Sequence, residues 1–165
     1  MIIGEEEIPN ERALLTQEDG PMMASSASVK YIVIHCSATR STRDYTAEQL
    51  LRDHKMRGFR TVGYHFYIRR DGSVTQHRKL LEVGAHCRPW NRCSIGICYE
   101  GGLDADGHPT DTRTPEQTEQ FILLLMRMVK IFPGVRIRGH RDMPGSIPKA
   151  CPCFDAEGVF GYLEK

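Results

Sequence analysis

The chain has 165 residues, 22 basic and 21 acidic, for a formal net charge of +1. That length suits one domain with a sizeable core, and the charge balance argues against a partner such as duplex nucleic acid, which demands a basic surface. No apolar run reaches the roughly 18–20 residues of a membrane span.

In chain order, residues 1–27 (MIIGEEEIPNERALLTQEDGPMMASSA) are acidic and interrupted by Gly and Pro, and read as an arm without apolar periodicity. They carry neither a basic nor an apolar block, so no Sec signal is seen. The expected course is synthesis in the cytoplasm and action elsewhere after release or non-Sec export. The run VKYIVIHCSA predicts a strand buried on both faces, ending at small and polar residues 37–42. TAEQLLRDHKMRGF predicts a helix, with Thr46 and Gln49 at capping-box spacing and Gly58 at its end. YHFYIRRDGSVTQHR predicts a hairpin around Asp71-Gly72. CSIGICYEGG is a further strand, followed by a loop. TPEQTEQFILLLMRMVKIF is the clearest helix, capped by Thr114, with Pro115 in the first turn and Gln117 completing the box. VRIRGH is a short strand, then comes a proline-punctuated loop, and FDAEGVFGYLEK predicts a short terminal helix. The expectation is a single α/β domain, residues 28–165, with a central mixed sheet flanked by helices.

Six cysteines and seven histidines are present. Cys36 and Cys98 fall inside predicted strands and read as buried thiols, whereas Cys87 and Cys93 flank a short loop and could pair in an oxidising compartment. The stretch Ile147–Asp155, IPKACPCFD, admits three readings: half of a disulfide, a CxC metal clip, or one corner of a site assembled from distant residues. His54, His77 and His108 read as packing or surface residues. His35 and His140 differ, because each ends a predicted strand, where α/β folds gather ligands and catalytic groups. Two imidazoles and the Cys151 thiolate form a donor set suited to zinc, with a fourth position left open. Such a zinc ion would lower the pKa of bound water and polarise a carbonyl. Pro148 and Pro152 stiffen the loop that carries the thiolate.

These residues carry a resemblance. HCSAT at 35–39, VGYHFYIRRDG at 62–72, NRCSIGICYEGG at 91–102, GH at 139–140 and PKACPCFD at 148–155 resemble, in order, the motifs of the type-2 N-acetylmuramoyl-L-alanine amidases. That family includes phage amidase-type lysozymes and peptidoglycan recognition proteins. The resemblance spans residues 31–155 and implies that fold. It implies one zinc per chain, held by His35, His140 and Cys151. It also implies Tyr64 and Lys149 as catalytic residues beside the metal, and His86 at a family position near the cleft. His65 and Asn91 read either as supporting or substrate-side groups or as structural hydrogen-bonding residues. The activity it implies is hydrolysis of the amide between N-acetylmuramic acid and L-alanine in peptidoglycan, with zinc-bound water as nucleophile, in an endolysin or a bacterial lytic enzyme. Peptidoglycan or muropeptides would be the partner, and the chain is expected to be a monomer.

Two alternatives stand beside it. A binding-only module would hold muropeptides without cutting them, although such relatives typically lack the cysteine ligand. A cytosolic muropeptide-recycling amidase would use an aspartate ligand and a glutamate where this chain has Cys151 and Tyr64. The chain departs from phage relatives at Cys153, where serine is usual, in the loop-lengthening segment MPGSI, and in the arm.

Overall fold

The computed structural model describes residues 11–12, 20–146 and 149–165. In chain order the elements are β1 (Glu11–Arg12), β2 (Tyr31–Cys36), β3 (Thr39–Arg40), α1 (Ala47–Met56), β4 (Phe66–Ile68), β5 (Val74–Gln76), β6 (Ser94–Tyr99), β7 (Gly102–Leu103), α2 (Pro115–Ile131), β8 (Arg136–Gly139) and α3 (Ala156–Phe160). One six-stranded sheet runs β1-β5-β4-β6-β2-β8, and β3 pairs with β7 in a small second sheet. β4, β6, β2 and β8 are mutually parallel, while β5 returns antiparallel to β4 through the predicted Asp71-Gly72 turn. Gly72 has a φ of +88°, a conformation that glycine adopts without a Cβ penalty. The expected mixed sheet, both long helices and their capping boxes at Thr46 and Thr114 are all present.

β2 and β6 are central, and buried almost throughout, as their unbroken apolar runs require. Their side chains alternate between the faces. Ile32, Ile34 and Cys36 of β2 join Ile95, Ile97 and Tyr99 of β6 in the main core, together with Phe121, Leu124, Leu125 and Met128 of α2 and Phe160 of α3. Spacings of three and four along α2 place that apolar stripe on one side of the helix. On the opposite face, Tyr67 and Cys98 pack with Ala47 and Leu50 of α1, and Val33 packs with Cys87 and Met143. His35 therefore shares the α1 side with Val33, and Cys36 points to the α2 side. The segment ahead of α1 is fixed by buried Glu100, which takes a two-point ion pair from Arg69 and accepts the backbone N–H groups of Tyr45 and Arg70.

Residues 21–23, assigned by sequence to the arm, pack on the domain. The Met23 N–H donates to Leu81 O at 2.7 Å, Val83 N–H donates to Pro21 O at 2.8 Å, and Met23 is 6% exposed within the main core. Glu11–Arg12 of the same predicted arm form β1 and pair with β5, whereas its residues 1–10 and 13–19 lie outside the described residues, as do Ile147 and Pro148. No helix among the described residues is long and apolar enough to cross a membrane.

Met23 makes the packing testable. Met23→Ala should destabilise the fold by about 2–5 kcal/mol, the usual range for truncating a buried methionine. A chain starting at residue 28 should lose at least as much. Denaturant midpoints read both, and midpoints within about 0.5 kcal/mol of the full chain would show that this segment adds nothing to the core.

Candidate metal centre

Three separate elements deliver three ligand-type side chains to one edge of the sheet. His35 is the penultimate residue of β2. His140 opens a short 3-10 turn directly after β8. Because Ile34 is in register with Gly139, the next residues along the two parallel strands are His35 and His140. Their rings lie 4.6 Å apart between centroids. Cys151 arrives on the loop before α3. That loop is tied down where Arg141 N–H donates to Cys151 O at 2.9 Å and the Tyr99 hydroxyl donates to Pro152 O at 2.7 Å. Gly139 permits the approach, since a Cβ there would lie 2.9 Å from the Pro152 ring.

The outcome is a compact donor set. One nitrogen each from His35 and His140 and the Cys151 Sγ all lie within 4.8 Å of one another. The His35 Nδ1 is the nitrogen on that side, 4.0 Å from Sγ. Cys36 N–H donates to the same sulfur from 3.2 Å. Two imidazole nitrogens and one cysteine sulfur match the borderline-soft, three-ligand sets that hold zinc with one position open. A tetrahedral ion with ordinary bond lengths would separate such ligands by roughly 3.3–3.6 Å, so only a small contraction is required. The residues fit the metal.

The remaining expected site residues divide. Tyr64 lies with its ring 4.9 Å from that of His35 and 5.5 Å from that of His54. Burial, followed by the neighbouring thiols of Cys98, Cys151 and Cys36, raises its phenol well above the ordinary value, so the hydroxyl keeps its proton. Lys149 is exposed, two residues before Cys151. His86 stands on the far side of His35 from Cys151: its Nδ1 is 2.9 Å from His35 Nε2. Asn91 does not point outward. Its Oδ1 accepts the backbone N–H groups of His86 and Cys87 at 2.9 and 2.8 Å, and so shapes the turn that presents His86. His65 is wholly buried and committed to backbone: its Nδ1 accepts Gly96 N–H at 3.0 Å, and its Nε2–H donates to Glu82 O at 2.7 Å. It touches His86, with ring centroids 5.9 Å apart.

Sequence reasoning did not single out Ser94, or the backbone amide of Cys36, as parts of the site. A serine at a strand start and a main-chain N–H carry no distinctive signal. His54, read as a packing residue, is one: its Nδ1 accepts Gly63 N–H at 2.9 Å, and its ring backs Tyr64. Cys36 and Cys98 are buried thiols, as expected, and Cys87 and Cys93 are not bonded to each other. Cys153 points away from the donor set, its Sγ 3.9 Å from that of Cys36 on the other face of β2. Burial, then Cys36, pushes its thiol up to about 12, which disfavours the thiolate a metal needs.

Burial also makes the metal-free fold sensitive to acid. It lowers His35 and His86 well below the ordinary imidazole value, reinforced by neighbouring histidines, and lowers His54 and His65 to about 4. The unfolded chain takes up these protons first, near pH 6.5, so nothing is lost above that pH and stability falls as pH drops from there towards 4. For His65 alone the loss is roughly 1.4 kcal/mol at about pH 5.5. Denaturant midpoints of metal-free protein should fall between about pH 7.5 and 5.5, and a flat profile would show that these rings charge freely in the fold.

Residues 25–154 match the family profile described as N-acetylmuramoyl-L-alanine amidase. The endolysin of Klebsiella phage KP32 is 41% identical over 124 residues, covering 75% of this chain and 80% of that one. The endolysin of Escherichia phage T7 is 38% identical over 128 residues, covering 78% and 83%. Among solved structures, the N-acetylmuramoyl-L-alanine amidase LysCS from Clostridium intestinale URNW aligns with a TM-score of 0.77 at 25% identity, over 96% of this chain and 98% of that one. Bumblebee PGRP-SA shares the fold, with a TM-score of 0.71 at 20% identity over 90% of each chain. The same residues that converge at the end of β2 fall within the matched span, and the chain belongs to the N-acetylmuramoyl-L-alanine amidase family.

Proposed function

We propose that this protein is a zinc-dependent peptidoglycan hydrolase that cleaves the amide between the lactyl group of N-acetylmuramic acid and L-alanine of the stem peptide. The observation that carries the reading is the convergence of His35, His140 and Cys151 donor atoms from three elements, with the Tyr64 ring against His35. Membership of the family and the endolysin names of the phage relatives support the substrate class. Bound at this donor set, zinc supplies a Lewis acid and lowers the pKa of a water it holds.

The chain's own residues supply the rest. Amide hydrolysis builds negative charge on the carbonyl oxygen, and fixed donors stabilise that charge best in a site shielded from water. Tyr64 keeps its phenol proton and so serves as a hydrogen-bond donor rather than a base. Its hydroxyl lies beside the Cys98 thiol, and the His35 and His54 rings flank its own, which limits its motion. Lys149, exposed beside the ligand loop, brings a cation that can fold over the same oxygen. Cys36 N–H holds the Cys151 sulfur in place. A binding-only role has no observation in its favour, because all three ligand-type residues are together.

The test is digestion of purified sacculi, with products read by mass spectrometry, before and after metal removal and zinc return. Release of stem peptides beginning with L-alanine, abolished by chelation and restored by zinc, is expected. Cleavage elsewhere in the polymer, or full activity without metal, would overturn the proposal. Lys149→Ala and Tyr64→Phe should each lower kcat by about 10²–10³, the range for a lost oxyanion donor, with little change in KM or bound zinc. Rates equal to wild type would remove those residues from the chemistry.

A further inference from the structure

His35 Nε2 faces His86 Nδ1 at 2.9 Å. His86 Nε2 faces the Ser94 hydroxyl at 3.3 Å, and that hydroxyl faces Trp90 O at 2.7 Å. A carbonyl oxygen only accepts, so the single Ser94 hydroxyl proton goes to Trp90 O. Ser94 Oγ then accepts from His86, which puts the His86 proton on Nε2 and leaves its Nδ1 bare. A bare Nδ1 accepts, so the His35 proton sits on Nε2, and the lone pair of His35 Nδ1 is free towards Cys151.

The pattern thus follows from one main-chain carbonyl and needs no metal to define it. We infer that His86 and Ser94 are positioning residues: the chain Trp90 O, Ser94, His86 locks His35 in the tautomer whose Nδ1 can bind the metal, before any metal arrives. This rests on the reading of His35 as a ligand but goes beyond it, by naming what orients the ligand and through which atoms.

The surroundings are built to hold the ring. His86 is 9% exposed and Ser94 fully buried. A Cβ on Gly96 would lie 2.7 Å from His86 Cγ, and one on Gly84 would lie 2.6 Å from its Cδ2, so two glycines grip the imidazole from neighbouring segments. Asn91 fixes the backbone on which it rides. Metal-bound imidazoles ordinarily hand their second N–H to a carboxylate, carbonyl or water. Here a second neutral imidazole takes that part, and the hydroxyl behind it settles the direction.

The experiment uses the full chain with uniformly ¹⁵N-labelled histidine. Long-range ¹H–¹⁵N spectra of metal-free protein assign the tautomers, and competition with a chromophoric chelator gives the zinc affinity. Wild type should show Nε2–H on both His35 and His86 without metal. His86→Ala should let His35 populate both tautomers and weaken zinc binding by about 10–100-fold, the range for loss of such an outer partner. His86→Asn, whose side-chain oxygen can stand where Nδ1 stood, should recover most of that loss, which a merely space-filling role would not do. Should His86→Ala fail to fold, Ser94→Ala removes only the far end of the chain. It should allow the other His86 tautomer and weaken zinc binding several-fold. Nδ1–H on His35 in wild type, or zinc affinity within twofold of wild type in the folded variant, would overturn the inference. Wild type that binds no zinc yet shows Nε2–H on both rings would instead sink the metal reading and leave the relay standing.

Discussion

The parallel pairing of β2 between β6 and β8 is the constraint on which the site depends. Ile34 opposite Gly139 sets His35 beside His140, and His35 opposite Cys98 sets the same residue against the face that carries Tyr67 and α1. Side chains alternate along a strand, so a slip of one residue would send His35 into the α2 core and bring Cys36 out in its place. The register is held by burial on both faces: the Ile32, Ile34, Cys36 row cannot leave the α2 side without exposing it. Fold stability and site geometry are thus one specification, written in the hydrophobic pattern of β2.

From that edge the site is completed by loops with few degrees of freedom. Cys151 is fixed through its neighbours more than through itself, by Arg141 and Tyr99 to the main chain and by Cys36 N–H to the sulfur. His35 is gripped on its far side by His86, Tyr64 lies against its ring, and His54 backs Tyr64 from α1. Burial keeps these imidazoles neutral and the phenol protonated, which are the states that ligation and hydrogen-bond donation need. Preorganisation of this kind lets a site bind and stabilise charge without rearranging at the moment of reaction.

Much of this is legible in the sequence, for identifiable reasons. The helices announce themselves through Thr46 with Gln49 and Thr114 with Gln117, because capping is local chemistry at fixed spacing. Strand ends at His35 and His140, and the stiff loop at Cys151, mark candidate ligands, while ordered motifs join residues that spacing alone cannot connect. What stayed hidden is long-range. Nothing near residue 86 says that its imidazole meets His35 fifty-one residues earlier, or that Ser94 sets its proton. For His65 and Asn91 the sequence leaves a supporting or substrate-side role and structural hydrogen bonding both open, and only their partners show that each holds backbone, Asn91 that of His86 itself. Met23 sits in a segment with no periodicity, yet it fills the core. Residue type does not separate the two cysteines of the CPC stretch; the motif resemblance singles out Cys151, and the backbone sends Cys151 to the histidines and Cys153 to Cys36.

The central claim is the identity of the three ligands, and X-ray absorption at the zinc edge tests it most directly. Zinc-loaded protein should show one sulfur at about 2.3 Å and nitrogen or oxygen neighbours at about 2.0–2.1 Å, two of them with imidazole scattering. Cys153→Ser should leave that spectrum unchanged, and Cys151→Ser should erase the sulfur shell. Two sulfurs around the metal, or a sulfur shell that survives Cys151→Ser and disappears with Cys153→Ser, would contradict the account.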